Sequence, residues 1–176
     1  MELLIVVVIF GIMGLIASNS LFSLLRGASK AEVVKEVKQN GDYALSVMEL
    51  KIRNSLIVES VTPCDSTPRT SLTILNPDNT QTQFACVYES ATSLKRLQQI
   101  DTATNYLTNS LVTVRTATTP NACETSQVSF NCTTLPSGYN TVLINFTLTQ
   151  AAVSPNAAES ASQTFQTQVT LRKNNK

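Results

Sequence analysis

The first two dozen residues constrain the chain more than anything that follows them. Residues 1–16 read MELLIVVVIFGIMGLI, uncharged apart from Glu2, and the apolar character continues past Ser18, Asn19 and Ser20 to Leu24 and Leu25. As a helix rising ~1.5 Å per residue, residues 3–25 reach about 34 Å, enough to cross a hydrocarbon core of about 30 Å. A helix in a soluble core seldom stays apolar on every side for so long. The sequence therefore predicts a membrane-spanning segment over residues 1–25, and the rest of the chain is what that segment carries.

Glu2 is the exception inside it. An ionised carboxylate costs ~2.5–3.5 kcal/mol at mid-bilayer and less near the end, unless it finds a partner. Two readings stand: a residue tolerated at headgroup level, or a functional charge. No Lys or Arg precedes the run, whereas Arg26 and Lys30 follow it. A count of flanking bases then places the N-terminus outside, and a secretory signal would open on bases rather than on an acid. A short basic leader ahead of residue 1 removes both oddities.

The segment from Glu2 to Ala17, ELLIVVVIFGIMGLIA, resembles the N-terminus of type IV pilins and pseudopilins. In that family a basic leader ends in Gly, the mature chain opens on a methylated Phe, and a glutamate a few residues on begins an apolar helix. Glu2 and Gly11 fall on this pattern. The sequence as written starts one residue before the glutamate, so the resemblance implies that the leader and the first mature residues precede it. Many pilins also carry a proline after the first apolar turns; this chain has none there, Asn19 standing near the place. The resemblance covers about a tenth of the chain. It implies an α+β, pilin-like fold, with a long N-terminal helix whose apolar half projects and whose amphipathic half packs on an antiparallel β-sheet.

Net charge is +1, and past residue 60 the bases and acids nearly balance without a basic face, so nothing points to nucleic acid. Cys64, Cys86, Cys123 and Cys132 all lie in the part that the segment would deliver outside the cytoplasm, where disulfides persist. Two bridges are expected, and pairing of sequence neighbours, Cys64 with Cys86 and Cys123 with Cys132, closes the shortest loops. Zinc is the rival reading, but the chain has no His and no C-x-x-C spacing.

Along the chain, residues 26–60 read as the amphipathic half of one long helix. Val34, Val37, Gly41, Ala44, Leu45, Met48, Ile52 and Leu56 recur at steps of three and four, and Glu49 with Arg53 forms a favourable i,i+4 pair. Gly11 and Gly14, with Ser18, Asn19 and Ser20, and then Gly41 between Asn40 and Asp42, are the helix-weak points, each glycine costing about 1 kcal/mol against alanine. Residues 61–176 read as an antiparallel β-sheet domain. Strand-like runs fall at 71–76 and 81–88 around a turn at Asn76-Pro77-Asp78-Asn79-Thr80, then at 93–100, 111–116, 141–149 and 163–171. Residues 106–110 read as a turn or short helix, residues 123–132 as a stapled loop or strand rim, residues 136–138 as a turn and residues 151–161 as a polar loop. The last two strands resemble the C-terminal hairpin of minor pilins and pseudopilins.

Without histidine the chain lacks the usual nucleophile–base pairs, and its five glycines form no phosphate loop. Asp65, Asp78, Glu89, Asp101, Glu124 and Glu159 share no close motif, so no catalytic residue, metal site or cofactor is expected. The resemblance implies a structural subunit of a type IV pilus or related filament. Such a subunit is held in the inner membrane with its domain extracytoplasmic, then passes to the cell surface in the filament. Its implied partners are other copies of itself or other pilins, the prepilin peptidase, the pilus assembly platform and inner-membrane lipid, with Glu2 paired to a neighbour's N-terminus. Two alternatives stay open: a minor pseudopilin of a type II secretion or DNA-uptake machine, and a monomeric membrane-anchored binding module.

Overall fold

The computed structural model describes residues 2–59, 64–115, 122–151 and 160–172, with side chains from Val6 onward. The chain is α+β, one long N-terminal helix followed by antiparallel sheets. Helix α1 (Glu2–Asn54) has 53 residues and is about 80 Å long at ~1.5 Å per residue. It continues without a break through Gly11, Gly14, Ser18-Asn19-Ser20 and Gly41. The serines cost the helix little, because Ser18 Oγ donates to the Gly14 carbonyl at 2.9 Å and Ser20 Oγ to that of Ile16 at 3.0 Å.

The helix ends before residue 60. Ser55 Oγ donates back to the Ile52 carbonyl at 2.7 Å, and Lys51 and Arg53 occupy the last turn, where cations complement the helix dipole. The next residues already form strand β1 (Ile57–Val58). Of the apolar stripe, Val37, Gly41, Ala44, Met48 and Ile52 are buried, Leu45 and Leu56 are half-buried, and Val34 is exposed.

Where a single sheet was expected, the described residues build two. Sheet I is a meander of β1, β2 (Ser71–Leu75), β3 (Gln81–Glu89), β4 (Leu94–Ile100) and β5 (Thr104–Tyr106), each antiparallel to the next. Its β2–β3 turn is held by Asp78, whose Oδ1 accepts from the Thr80 N–H at 3.0 Å and hydroxyl at 2.6 Å, with Asn79 at φ 63°. Sheet II has β8 (Asn140–Gln150) at its centre. β9 (Ser162–Thr170) pairs along one edge, and β6 (Val112–Val114) and β7 (Val128–Thr134) share the other end to end. The 136–138 turn joins β7 to β8, with Gly138 at φ +79°, a conformation that suits glycine.

Side-chain hydroxyls link the sheets where the backbone ladder stops. Thr113 Oγ1 accepts from the Lys95 N–H at 3.0 Å and donates to the Lys95 carbonyl at 3.1 Å, and Thr108 Oγ1 accepts from the Leu97 N–H at 3.3 Å. One core runs beneath both sheets. Leu72, Ile74, Phe84 and Leu97 come from sheet I; Val128, Phe130, Ile144, Phe146 and Phe165 come from sheet II; Val37, Met48 and Ile52 come from α1.

The disulfides are Cys64–Cys132 and Cys86–Cys123, which corrects the expected pairing of neighbours. Residues 65–69 run antiparallel beside β7, bridging at Asp65 with Thr133 and Arg69 with Phe130, and this lays Cys64 against Cys132. One bridge ties Cys86 of β3 to Cys123 ahead of β7, and the other ties Cys64, in the connection between β1 and β2, to Cys132 of β7. Residues 123–127 correspondingly lead into strand β7, which begins at Val128 and includes Cys132, rather than forming a loop closed on itself.

Candidate assembly surface

Every residue from 6 to 32 of α1 is exposed, and the domain first grips the helix at Val37, 1% exposed. The helix is long and apolar enough to cross a membrane, and none of its most apolar window is buried. The large apolar side chains of the run range from Val6 at 49% exposed to Phe10 and Leu24 at 70%. At ~25 cal/mol per Å² of apolar surface, leaving such a run in water is strongly unfavourable, and an apolar expanse of this size marks a place where lipid or protein belongs.

Glu2 is the first residue of the helix; its side chain lies outside the described residues. Gly11 and Gly14 stand in open space, with nothing within 4 Å of where a Cβ would be. Gly41 is the opposite case, since a Cβ there would stand 2.0 Å from Phe165 Cζ. That ring is stacked on Phe146 with centroids 5.3 Å apart.

Between run and domain lies a charged neck bearing Arg26, Lys30, Glu32, Lys35, Glu36 and Lys38. The domain clamps its upper end through residues that sequence reasoning passed over. The Asn109 N–H donates to Asn40 Oδ1 at 2.9 Å and Asn109 Nδ2 to Glu36 Oε1 at 2.5 Å, while Asn40 Nδ2 donates to the Glu36 carbonyl at 3.0 Å. Asn40 thus acts as a clamp, and its only sequence signal is an amide in mid-helix with no cap to serve. Beside it a cleft of about 250 Å³ opens between α1 and the strand ends, with Glu32, Val33 and Glu36 on one wall and Leu111 and Val112 on the other.

The domain's perturbed carboxylates are turn fasteners. Asp65 is held below its ordinary value first by the Thr67 N–H and then by Arg69. Asp78 is lowered by the Thr80 hydroxyl and N–H, and Glu89 by the Thr92 hydroxyl and then Arg96. Asp101 is lowered by the Gln99 amide, the Ala103 N–H and then Lys51, whose Nζ is 4.0 Å away. None has the apolar pocket or like-charged neighbour that raises a carboxyl for acid–base work. Among the described residues no three His, Cys, Asp or Glu side chains gather as a metal site. What the arrangement offers is an apolar rod, a charged neck and a disulfide-fastened domain. No family model, curated protein or solved structure matches the chain.

Proposed function

We propose that the chain is a structural subunit of a type IV pilus or related filament, anchored in the inner membrane by α1 until it joins the growing fibre. The observation that carries this reading is that residues 6–32 form a fully exposed extension of the same helix that organises the domain core. A rod continuous with the domain fixes the orientation of one relative to the other, as regular stacking of subunits requires. A passive anchor needs no such rigidity.

Glu2 supplies the specific step. The apolar run contains no Lys or Arg, so within a bundle of identical helices the regular partner for the carboxylate is the terminal amine of a neighbouring subunit. Leaving either charge unpaired in apolar surroundings is costly, so a subunit slides until the pair forms and its register is fixed. Glu2→Ala and Glu2→Gln are expected to cut filament number sharply while membrane insertion stays normal or improves. Counting filaments against wild type at matched protein levels, with the membrane fraction assayed alongside, checks this. Equal counts would favour the membrane-anchored binding module instead.

A further inference from the structure

The charged neck carries two rows of like charge. Arg26 and Lys30 are four residues apart on one side of α1, and Glu32 and Glu36 repeat that spacing about 120° round the helix at ~100° per residue. Like charges at i,i+4 disfavour a helix. Among the described residues Arg26, Lys30 and Glu32 make no ion pair, and all three are exposed. The bases lie nearer the apolar run and the acids farther from it.

We infer that this neck is a receptor for zwitterionic phospholipid headgroups that carry a primary amine, with Arg26 and Lys30 taking the phosphate and Glu32 the ammonium. The inference rests on reading residues 3–25 as a membrane span. A bilayer of ~40–45 Å around a core of ~30 Å leaves roughly 5–7 Å of headgroup on each face. Arg26 and Lys30 begin about 1.5 and 7.5 Å beyond residue 25, and Glu32 about 10.5 Å beyond it. Helix side chains lean toward the helix N-terminus, here toward the bilayer, so the bases reach phosphate depth and the carboxylate comes down to the layer just outside it. In such a headgroup the phosphate lies inward and the amine outward, the reverse of the order on the helix. A cleft walled by Val33, Leu111 and Val112 opens beside Glu32 and gives the ethanolamine arm apolar surface to lie against. A primary ammonium donates three hydrogen bonds to a carboxylate, whereas a trimethylated amine donates none. This separates the proposal from simple attraction of bases to an anionic surface.

The test uses the full chain in micelles doped with phosphatidylethanolamine, phosphatidylcholine or phosphatidylglycerol, counting lipids retained per chain by native mass spectrometry. Phosphatidylethanolamine is expected at least fivefold above either of the others. Glu32→Gln should bring it down to the phosphatidylcholine level, and Arg26→Gln with Lys30→Gln should reduce all three. All of these side chains are exposed, so the variants leave the core untouched. Preferential retention of phosphatidylglycerol, or of phosphatidylethanolamine unchanged by Glu32→Gln, would overturn the proposal alone. A chain that fails to partition into vesicles at all would overturn the membrane reading and the proposal with it.

Discussion

Gly41 shows how one residue reverses meaning between chain and fold. As sequence it is a poor helix former; in the structure its missing side chain is what lets Phe165 of β9 lie on α1, the ring boxed in by Phe146. A methyl group at that point gains about 1 kcal/mol of helix propensity but meets a ring that has no room to turn, an overpacking cost of about 1–3 kcal/mol. Gly41→Ala is therefore expected to lower the unfolding temperature of the disulfide-intact chain in detergent. Adding Phe165→Leu, which shortens the opposing side chain, should recover part of the loss relative to Phe165→Leu alone. An unchanged or raised melting temperature in the single variant would show that the helix and β9 are not locked there. Asn40 repeats the lesson one position earlier, where an apparent helix breaker is the hydrogen-bonding anchor for Asn109.

Among the elements, the joint between the two sheets depends on its cross-links. Thr113 contributes two hydroxyl hydrogen bonds to Lys95 and Thr108 one to Leu97, residues 65–69 contribute a short backbone pairing, and the disulfides span 68 and 37 residues. Loops of that size correspond to about 4 kcal/mol each on the chain-entropy account. Non-reducing digestion is expected to yield peptides joining Cys64 to Cys132 and Cys86 to Cys123, and Cys86→Ser should cost roughly 2–5 kcal/mol. Recovery of a Cys64–Cys86 peptide, or of four free thiols from the native compartment, would defeat this arrangement. β2 and β8 were legible in the sequence because apolar residues recur at every second position and face the core, Leu72 and Ile74 in β2 and Val142, Ile144, Phe146 and Leu148 in β8, while β9 shows the same row more sparsely, through Phe165 and Val169. β7 was not, because its inward row is Val128, Phe130 and Cys132, which alternates only if the cysteine counts as a core residue. β5 is exposed throughout, so no burial pattern marks it; it is held to sheet I by backbone pairing to β4, by Arg96 lying over the Tyr106 ring and by the Tyr106 hydroxyl donating to Glu89 Oε1 at 3.3 Å. Division into two sheets and nested disulfides depend on contacts between residues far apart in sequence, which local periodicity does not encode.

For the whole molecule, the helix divides the work between two environments. Its apolar half touches nothing in the domain, and the core draws on it only from Val37 onward, so the free energy that holds the domain together contains no term from residues 6–25. The clamp of Asn109 on Asn40 and Glu36 closes the domain around the helix above that boundary. The fragment beginning at Arg26 keeps every buried residue of α1, both disulfides and strands β1 to β9. It is expected to fold as a soluble monomer with the unfolding midpoint of the full chain's domain, while losing membrane association and assembly together. Light scattering on the purified fragment gives its mass, and denaturant unfolding gives its stability. Recovery only as an aggregate, or a midpoint well below that of the full chain, would mean that the projecting half contributes to the fold. The split between an apolar rod for assembly and a self-sufficient domain for display would then have to be abandoned.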